Sequence, residues 1–147
     1  LTVEASAAKR DWIQRYFKVP YSLRPILTER MPNFQLSDGE INVLADYMST
    51  VFVADSLAHT ITVNAAAVAK GKLLYEERYG CQGCHQIGGK GGYVGPPLDK
   101  VASRLQQGWI FHWLKNPQAL RPESIEPNNR LSDQEAEALT AYLTTLK

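Results

Sequence analysis

Residues 81–85 read Cys81-Gln82-Gly83-Cys84-His85, and they hold both cysteines of the 147-residue chain. A disulfide between thiols this close would close a tiny loop, restrain little chain entropy and staple nothing. The pair therefore needs a chemical explanation. Ahead of it, Asn64 can cap a helix through Ala65–Tyr79, whose apolar Val68, Leu73, Leu74 and Tyr75 fall near helical spacing. Gly80 stops that helix just before Cys81. Behind it, Gly88–Pro97 (GGKGGYVGPP) is too rich in Gly and Pro for regular structure and is expected as loop.

Further out, a helix is expected from Ala102 to Lys115, stopped ahead of Pro117. Pro117–Arg130, with three prolines, is expected to be irregular. Ser132 with Glu135 three residues on forms a capping box, and the helix behind it should run to about Thr145. Ser37 and Glu40 make the same box earlier in the chain. No stretch alternates as a strand should. The expected fold is all-α with long loops. A unit of roughly 80 residues built this way has a thin core, so a large apolar cofactor at its centre would supply the missing packing.

The chain contains an internal repeat. Leu1–Pro25 matches Leu98–Pro122 without a gap, with Trp12, Ile13, Lys18 and Pro20 recurring as Trp109, Ile110, Lys115 and Pro117. After a two-residue slip, Pro32-Asn33 and Leu36-Ser37-Asp38 recur as Pro127-Asn128 and Leu131-Ser132-Asp133. Glu40, Leu44 and Tyr47 then recur as Glu135, Leu139 and Tyr142. The copies are unequal, because residues 65–97 precede the second and nothing comparable precedes the first. Residues 1–54 thus read as the C-terminal half of a module without a C-x-x-C-H, 55–64 as a linker, and 65–147 as a whole module. A two-module parent explains this simply; a half-module acquired as an N-terminal extension is the other reading.

Sixteen basic and fifteen acidic residues give a net charge of +1. They are interspersed, so nothing global argues for nucleic acid or an anionic membrane as partner. The most apolar stretch, Val51–Ala69, is broken by Asp55, His59 and Asn64 and falls short of the roughly 18 apolar residues of a transmembrane span. No signal peptide is present, and the chain begins with Leu1, which reads as a mature form or a fragment.

C-x-x-C-H is the attachment signature of c-type haem. Two residues between the thiols let both sulfurs reach the vinyl groups on one haem edge. The next residue then projects its imidazole under the iron. One haem c, covalent through Cys81 and Cys84 with His85 as proximal ligand, is therefore expected. A thioredoxin-like C-x-x-C should follow a strand and open a helix, and here it follows a helix and opens a Gly-rich loop. A zinc site would need a second ligand pair, and only His59 and His112 lie outside the motif, at no recognisable spacing.

Residues 65–147 resemble a bacterial class I cytochrome c domain, and residues 1–54 resemble the latter half of another, as in diheme cytochromes c. The resemblance rests on Gly71 and Tyr75 in the first helix, CQGCH, Gly95-Pro96-Pro97-Leu98, the aromatic helix around Trp109, and Leu139 and Tyr142 in the last helix. It implies a close crossing of first and last helices with Gly71 against Tyr142. It also implies that the Pro96 carbonyl accepts from the second nitrogen of His85, fixing the ring and raising its basicity. Pro96, Leu98, Arg104, Trp109 and Tyr93 are the expected cofactor-binding residues, the last three as candidate partners of the propionates. Packing alone is the competing role for Trp109 and Trp113. Lys90, Lys100 and Lys115 are a candidate docking face.

Such domains usually supply a methionine to the iron from a loop before the last helix. The first copy has that phrase, Arg30-Met31-Pro32-Asn33-Phe34-Gln35-Leu36-Ser37. The second has Glu126 where the methionine should be, and no methionine follows Met48. Three readings stand. Met31 reaches the haem from the half-module, in the same chain or a swapped partner. Or a non-Met ligand of module two binds, with His112 and Glu126 as weaker alternatives and Lys115 behind them. Or the iron is five-coordinate. A carboxylate is a hard ligand and a poor match for ferrous iron, so solvent exposure is the plainer expectation for Glu126, as a surface role is for His112.

The resemblance implies single-electron transfer between redox proteins rather than enzymatic turnover, as a fragment or subunit of a diheme cytochrome or respiratory complex. It implies other subunits of a membrane complex as partners, and a periplasmic or otherwise extracytoplasmic location. The alternative is a haem c enzyme or a gas- or ligand-binding sensor with an open or non-Met sixth position.

Overall fold

The computed structural model describes residues 3–23 and 31–147. The repeat matches at Leu1, Arg24 and Pro25, and Arg30 of the methionine phrase, lie outside these residues. Among the described residues eight α-helices follow one another: α1 (Glu4–Ala7), α2 (Arg10–Lys18), α3 (Asp38–Val51), α4 (Ala65–Leu73), α5 (Val101–Arg104), α6 (Gln107–Lys115), α7 (Pro117–Leu120) and α8 (Asp133–Leu143). The architecture is all-α, as expected.

Sequence chemistry sets most boundaries. The Asn64 side chain accepts from the Ala67 N–H at 2.9 Å and starts α4. The helix continues as one π-helical turn, Leu74–Arg78, and Gly80 ends it in the left-handed region at φ +60°. Both capping boxes form, with Glu40 and Glu135 each bonded back to its serine. Three expectations need correction. The helix expected over 102–115 is broken at Leu105 and Gln106, because Leu105 is extended and pairs with Ala8. Pro117 opens a short helix instead of irregular chain: proline suits a first helical turn, and the Asn116 side chain caps Ala119. The glycine-rich stretch carries a two-residue antiparallel ladder, Gln86–Ile87 with Lys90–Gly91.

The main core gathers Leu74, Tyr75, Leu98, Val101, Ile110, Phe111 and Leu131 with the inner face of α8. α4 and α8 cross closely at Gly71, as the sequence led us to expect. A Cβ on Gly71 would overlap the Ala138 carbonyl and lie 2.8 Å from Tyr142 Cβ. Within residues 55–64, read as a linker, Leu57, His59 and Ile61 make contacts with the rest of the protein while the other side chains are exposed. Leu57 and His59 lie against Gly108 of α6, the His59 ring stacks 3.9 Å from Phe111, and Ile61 is buried in the core.

Elements before and after residue 64 correspond closely. α1 and α2 occupy the repeat positions of α5 and α6, and α3 that of α8. Lys18–Asp38 and Lys115–Asp133 are both ion pairs of 2.8 Å. Gln35 and Arg130 share a left-handed φ of 54° and 51°, each donating its N–H to an asparagine two residues back. The two sets meet back to back. Ala8 opposes Leu105, Lys9 N–H donates to Arg104 O at 2.8 Å, and Gln106 N–H donates to Ala7 O at 2.9 Å. Each bond is the other's counterpart under the repeat, so the contact has local two-fold character. One difference stands out: Val43 and Tyr47 on α3 are 69% and 55% exposed, while Ala138 and Tyr142 on α8 are buried beneath α4.

Gly71→Ala should destabilise the protein by about 1–3 kcal/mol, because overlap with a backbone carbonyl outweighs alanine's helix preference of about 1 kcal/mol. Gly39→Ala, which meets only the Ser37 hydroxyl at 3.9 Å, should be neutral or stabilising. Denaturant unfolding of the two variants checks the contrast.

Candidate functional site

The end of the α4 helix, the short ladder and the loop before α8 converge on His85. Gly80 turns the chain, and residues 81–83 form a 3-10 turn. Cys81 is half-buried and Cys84 exposed, and both are free thiols. Burial, then the charge of Glu126, pushes the Cys81 thiol up to about 11.

Glycines let backbone close around the ring. A Cβ on Gly91 or Gly92 would overlap the carbonyls of His85 or Gly83, and one on Gly95 would overlap the imidazole itself. Gly95 N–H donates to Cys84 O at 2.9 Å. This brings the Pro96 carbonyl to His85, whose Nδ1 donates to it at 2.8 Å. That bond places a proton on Nδ1 and leaves Nε2 to face outward. Nε2 faces Glu126, whose Oε2 is 3.2 Å away. Burial opposes charge on His85, but the bonds to Glu126 and Pro96 outweigh it and raise its pKa; Arg104 acts in the opposite sense.

The Glu126 loop is itself held. Gln118 Nε2 donates to the carbonyls of Ser124 and Glu126, at 3.0 and 2.7 Å, and the Glu126 N–H donates to Ser124 Oγ at 3.2 Å. Gln118 was not among the sequence candidates. A signal existed: its repeat counterpart is Tyr21, so this position and the one at Met31/Glu126 differ together between the copies.

The other candidates divide. Arg104 lies within electrostatic reach of His85. Leu98 is buried in the core, its N–H donating to Gln86 O at 2.9 Å. Trp109 is buried, stacked near Trp113, with the Arg121 guanidinium 5.5 Å from its ring. Tyr93 is exposed. His112 contacts His59 and Phe111, and burial followed by the His59 charge lowers its pKa. Lys115 donates to Leu131 O at 2.6 Å and pairs with Asp133 at 2.8 Å. Met31 is half-buried ahead of α3, at the place in the first set of helices that Glu126 holds in the second. Of the side chains weighed for the far side of the iron, Glu126 is the one within hydrogen-bond distance of Nε2.

These residues fit a covalently attached haem. The imidazole is oriented by a carbonyl, no side chain stands where Gly95 meets the ring, both thiols are free, and the exposed apolar Val94 and Ile125 flank the site in sequence. Among the described residues no group of three or more His, Cys, Asp and Glu side chains could hold a metal ion directly.

Residues 68–147 match the sequence model of the family described as Cytochrome c. Over 87 residues the chain is 32% identical to cytochrome c oxidase subunit 2 of Alkalihalophilus pseudofirmus, covering 53% of this chain. The chain spans about a quarter of that relative's length. No solved structure matches.

Gly95→Ala should displace the imidazole and cut covalent haem incorporation several-fold. Haem staining of the expressed protein, normalised to polypeptide, reads this.

Proposed function

The chain belongs to the cytochrome c family, and from that premise we propose that it carries single electrons between redox proteins on one haem c. The haem would be attached at Cys81 and Cys84 and held by His85. Bound there, it supplies a one-electron couple at iron; the protein's part is to hold it, exclude water and set the potential. The observation that carries the reading is the Nδ1 bond of His85 to Pro96, which fixes the ring and makes Nε2 a better ligand. Arg104, already within electrostatic reach of His85, would offset propionate charge, and Trp109 and Leu98 would pack the buried side. Because haem attachment of this kind occurs outside the cytoplasm in the family, an extracytoplasmic, periplasm-type location follows. No helix among the described residues is long and apolar enough to cross a membrane.

A second reading is favoured by the uncovered face of α3. The α8 residues equivalent to Val43 and Tyr47, Ala138 and Tyr142, lie against Gly71 of α4, the helix that leads into C-x-x-C-H. On this reading residues 1–54 are the latter half of a second haem module, with Met31 serving that module's iron. The chain would then be part of a diheme cytochrome or of a subunit in a respiratory complex, with the other subunits as partners.

Pyridine haemochrome analysis with intact-mass measurement should give one covalent haem on residues 1–147, lost in Cys81→Ala/Cys84→Ala, and redox titration a reversible one-electron wave. Absence of covalent haem would overturn the main reading. On the polypeptide isolated from its source, two haems per chain are expected from the second reading; one would overturn it.

A further inference from the structure

We propose that the Glu126 carboxylate is the sixth ligand of the ferric haem iron and leaves it on reduction, opening a site for a small neutral diatomic ligand. The inference rests on the haem reading above and concerns the side of the iron opposite His85.

His85 Nε2 and Glu126 Oε2 face each other across the open side of the ring. Nδ1 of His85 carries the proton given to Pro96, so a neutral ring offers only a lone pair at Nε2. Glu126 Oε2 offers lone pairs too, and it stands 3.2 Å away with its side chain 28% exposed. Two acceptors face each other at this distance only with a positive centre between them. A shared proton serves in the metal-free chain. A haem iron held by Nε2 would take the proton's place on that line, with the Glu126 carboxylate drawing back to make room for two metal bonds where one hydrogen bond now stands.

The carboxylate is not there by the freedom of a surface side chain. Gln118 grips both carbonyls of the loop, and Ser124 takes the Glu126 N–H. The clamp acts through backbone, so it aims whatever side chain residue 126 bears. In the first copy the corresponding positions are Tyr21 and Met31, a thioether without the amide clamp.

Ligand chemistry then sets the behaviour. A carboxylate is a hard, anionic donor that prefers ferric iron, whereas ferrous iron favours softer donors. On reduction by one electron from a partner redox protein, Glu126 would release the iron, its carboxylate keeping the electron pair of the bond, while His85 would go on holding it. The position that Glu126 vacates would accept a neutral π-acceptor such as carbon monoxide or nitric oxide.

The test uses the haem-loaded 147-residue chain as wild type, Glu126→Gln, Glu126→Ala, Glu126→Met and Met31→Ala. Optical and electron paramagnetic resonance spectra of the oxidised forms are recorded, with carbon monoxide titration of the reduced forms. The proposal expects the ferric spectrum to change in both Glu126→Gln and Glu126→Ala and to stay unchanged in Met31→Ala. It expects cyanide to bind ferric Glu126→Ala at least tenfold faster than wild type. Reduced wild type should bind carbon monoxide stoichiometrically, and Glu126→Met should gain a thioether-to-iron band and resist carbon monoxide. Ferric spectra insensitive to residue 126, a thioether band in wild type that Met31→Ala removes, or reduced wild type that refuses carbon monoxide would overturn it. Normal haem content alongside any of these sinks the ligand assignment alone, while missing haem sinks the electron-carrier reading.

Discussion

Both nitrogens of the His85 imidazole are committed, one to the Pro96 carbonyl and the other toward Glu126, and much of the second half of the chain is arranged to keep them so. The ring can approach Pro96 only because residue 95 has no side chain. The loop that carries Pro96 is fixed by the bond from Gly95 to Cys84 and by Leu98, whose side chain enters the core while its N–H bonds Gln86. On the other side, α7 presents Gln118 to the loop carrying Glu126. Core packing, glycine placement and a short proline-started helix thus act on one side chain.

The local two-fold contact between residues 7–9 and 104–106 explains how the first three helices are held although their own cluster is small. Ala8, Ile13 and Ala45 bury little apolar area, and isolated helices of this length are marginal in water. They are anchored by backbone bonds to the break between α5 and α6, and by the Arg121–Glu4 pair at 3.7 Å. The same break that interrupts an otherwise continuous helix is therefore the joint of the molecule. Its cost in helical hydrogen bonds is offset by those made across the contact.

Much of this was legible in the residue pattern. The α4 cap, both capping boxes, the Gly71–Tyr142 crossing and the halt at Gly80 each follow from a local rule with a short reach. The break at Leu105 was not legible, because residues 102–115 carry a helical pattern and the competing partner, Ala8, is distant in sequence. The helix opened by Pro117 was obscured by three prolines that read as irregular chain. At the site, His85 and its thiols were legible from spacing alone. The approach of Glu126 to Nε2 was not: an exposed-looking acid in a loop gives no sign of its aim until Gln118 is seen holding the loop.

A diffraction structure of the oxidised, haem-loaded protein tests the account most directly, since it locates both axial atoms at once. The account predicts His85 Nε2 on one side of the iron, with Nδ1 still bonded to Pro96, and a Glu126 carboxylate oxygen on the other. A Met31 sulfur or a solvent molecule bound there, with Glu126 turned away, would contradict it.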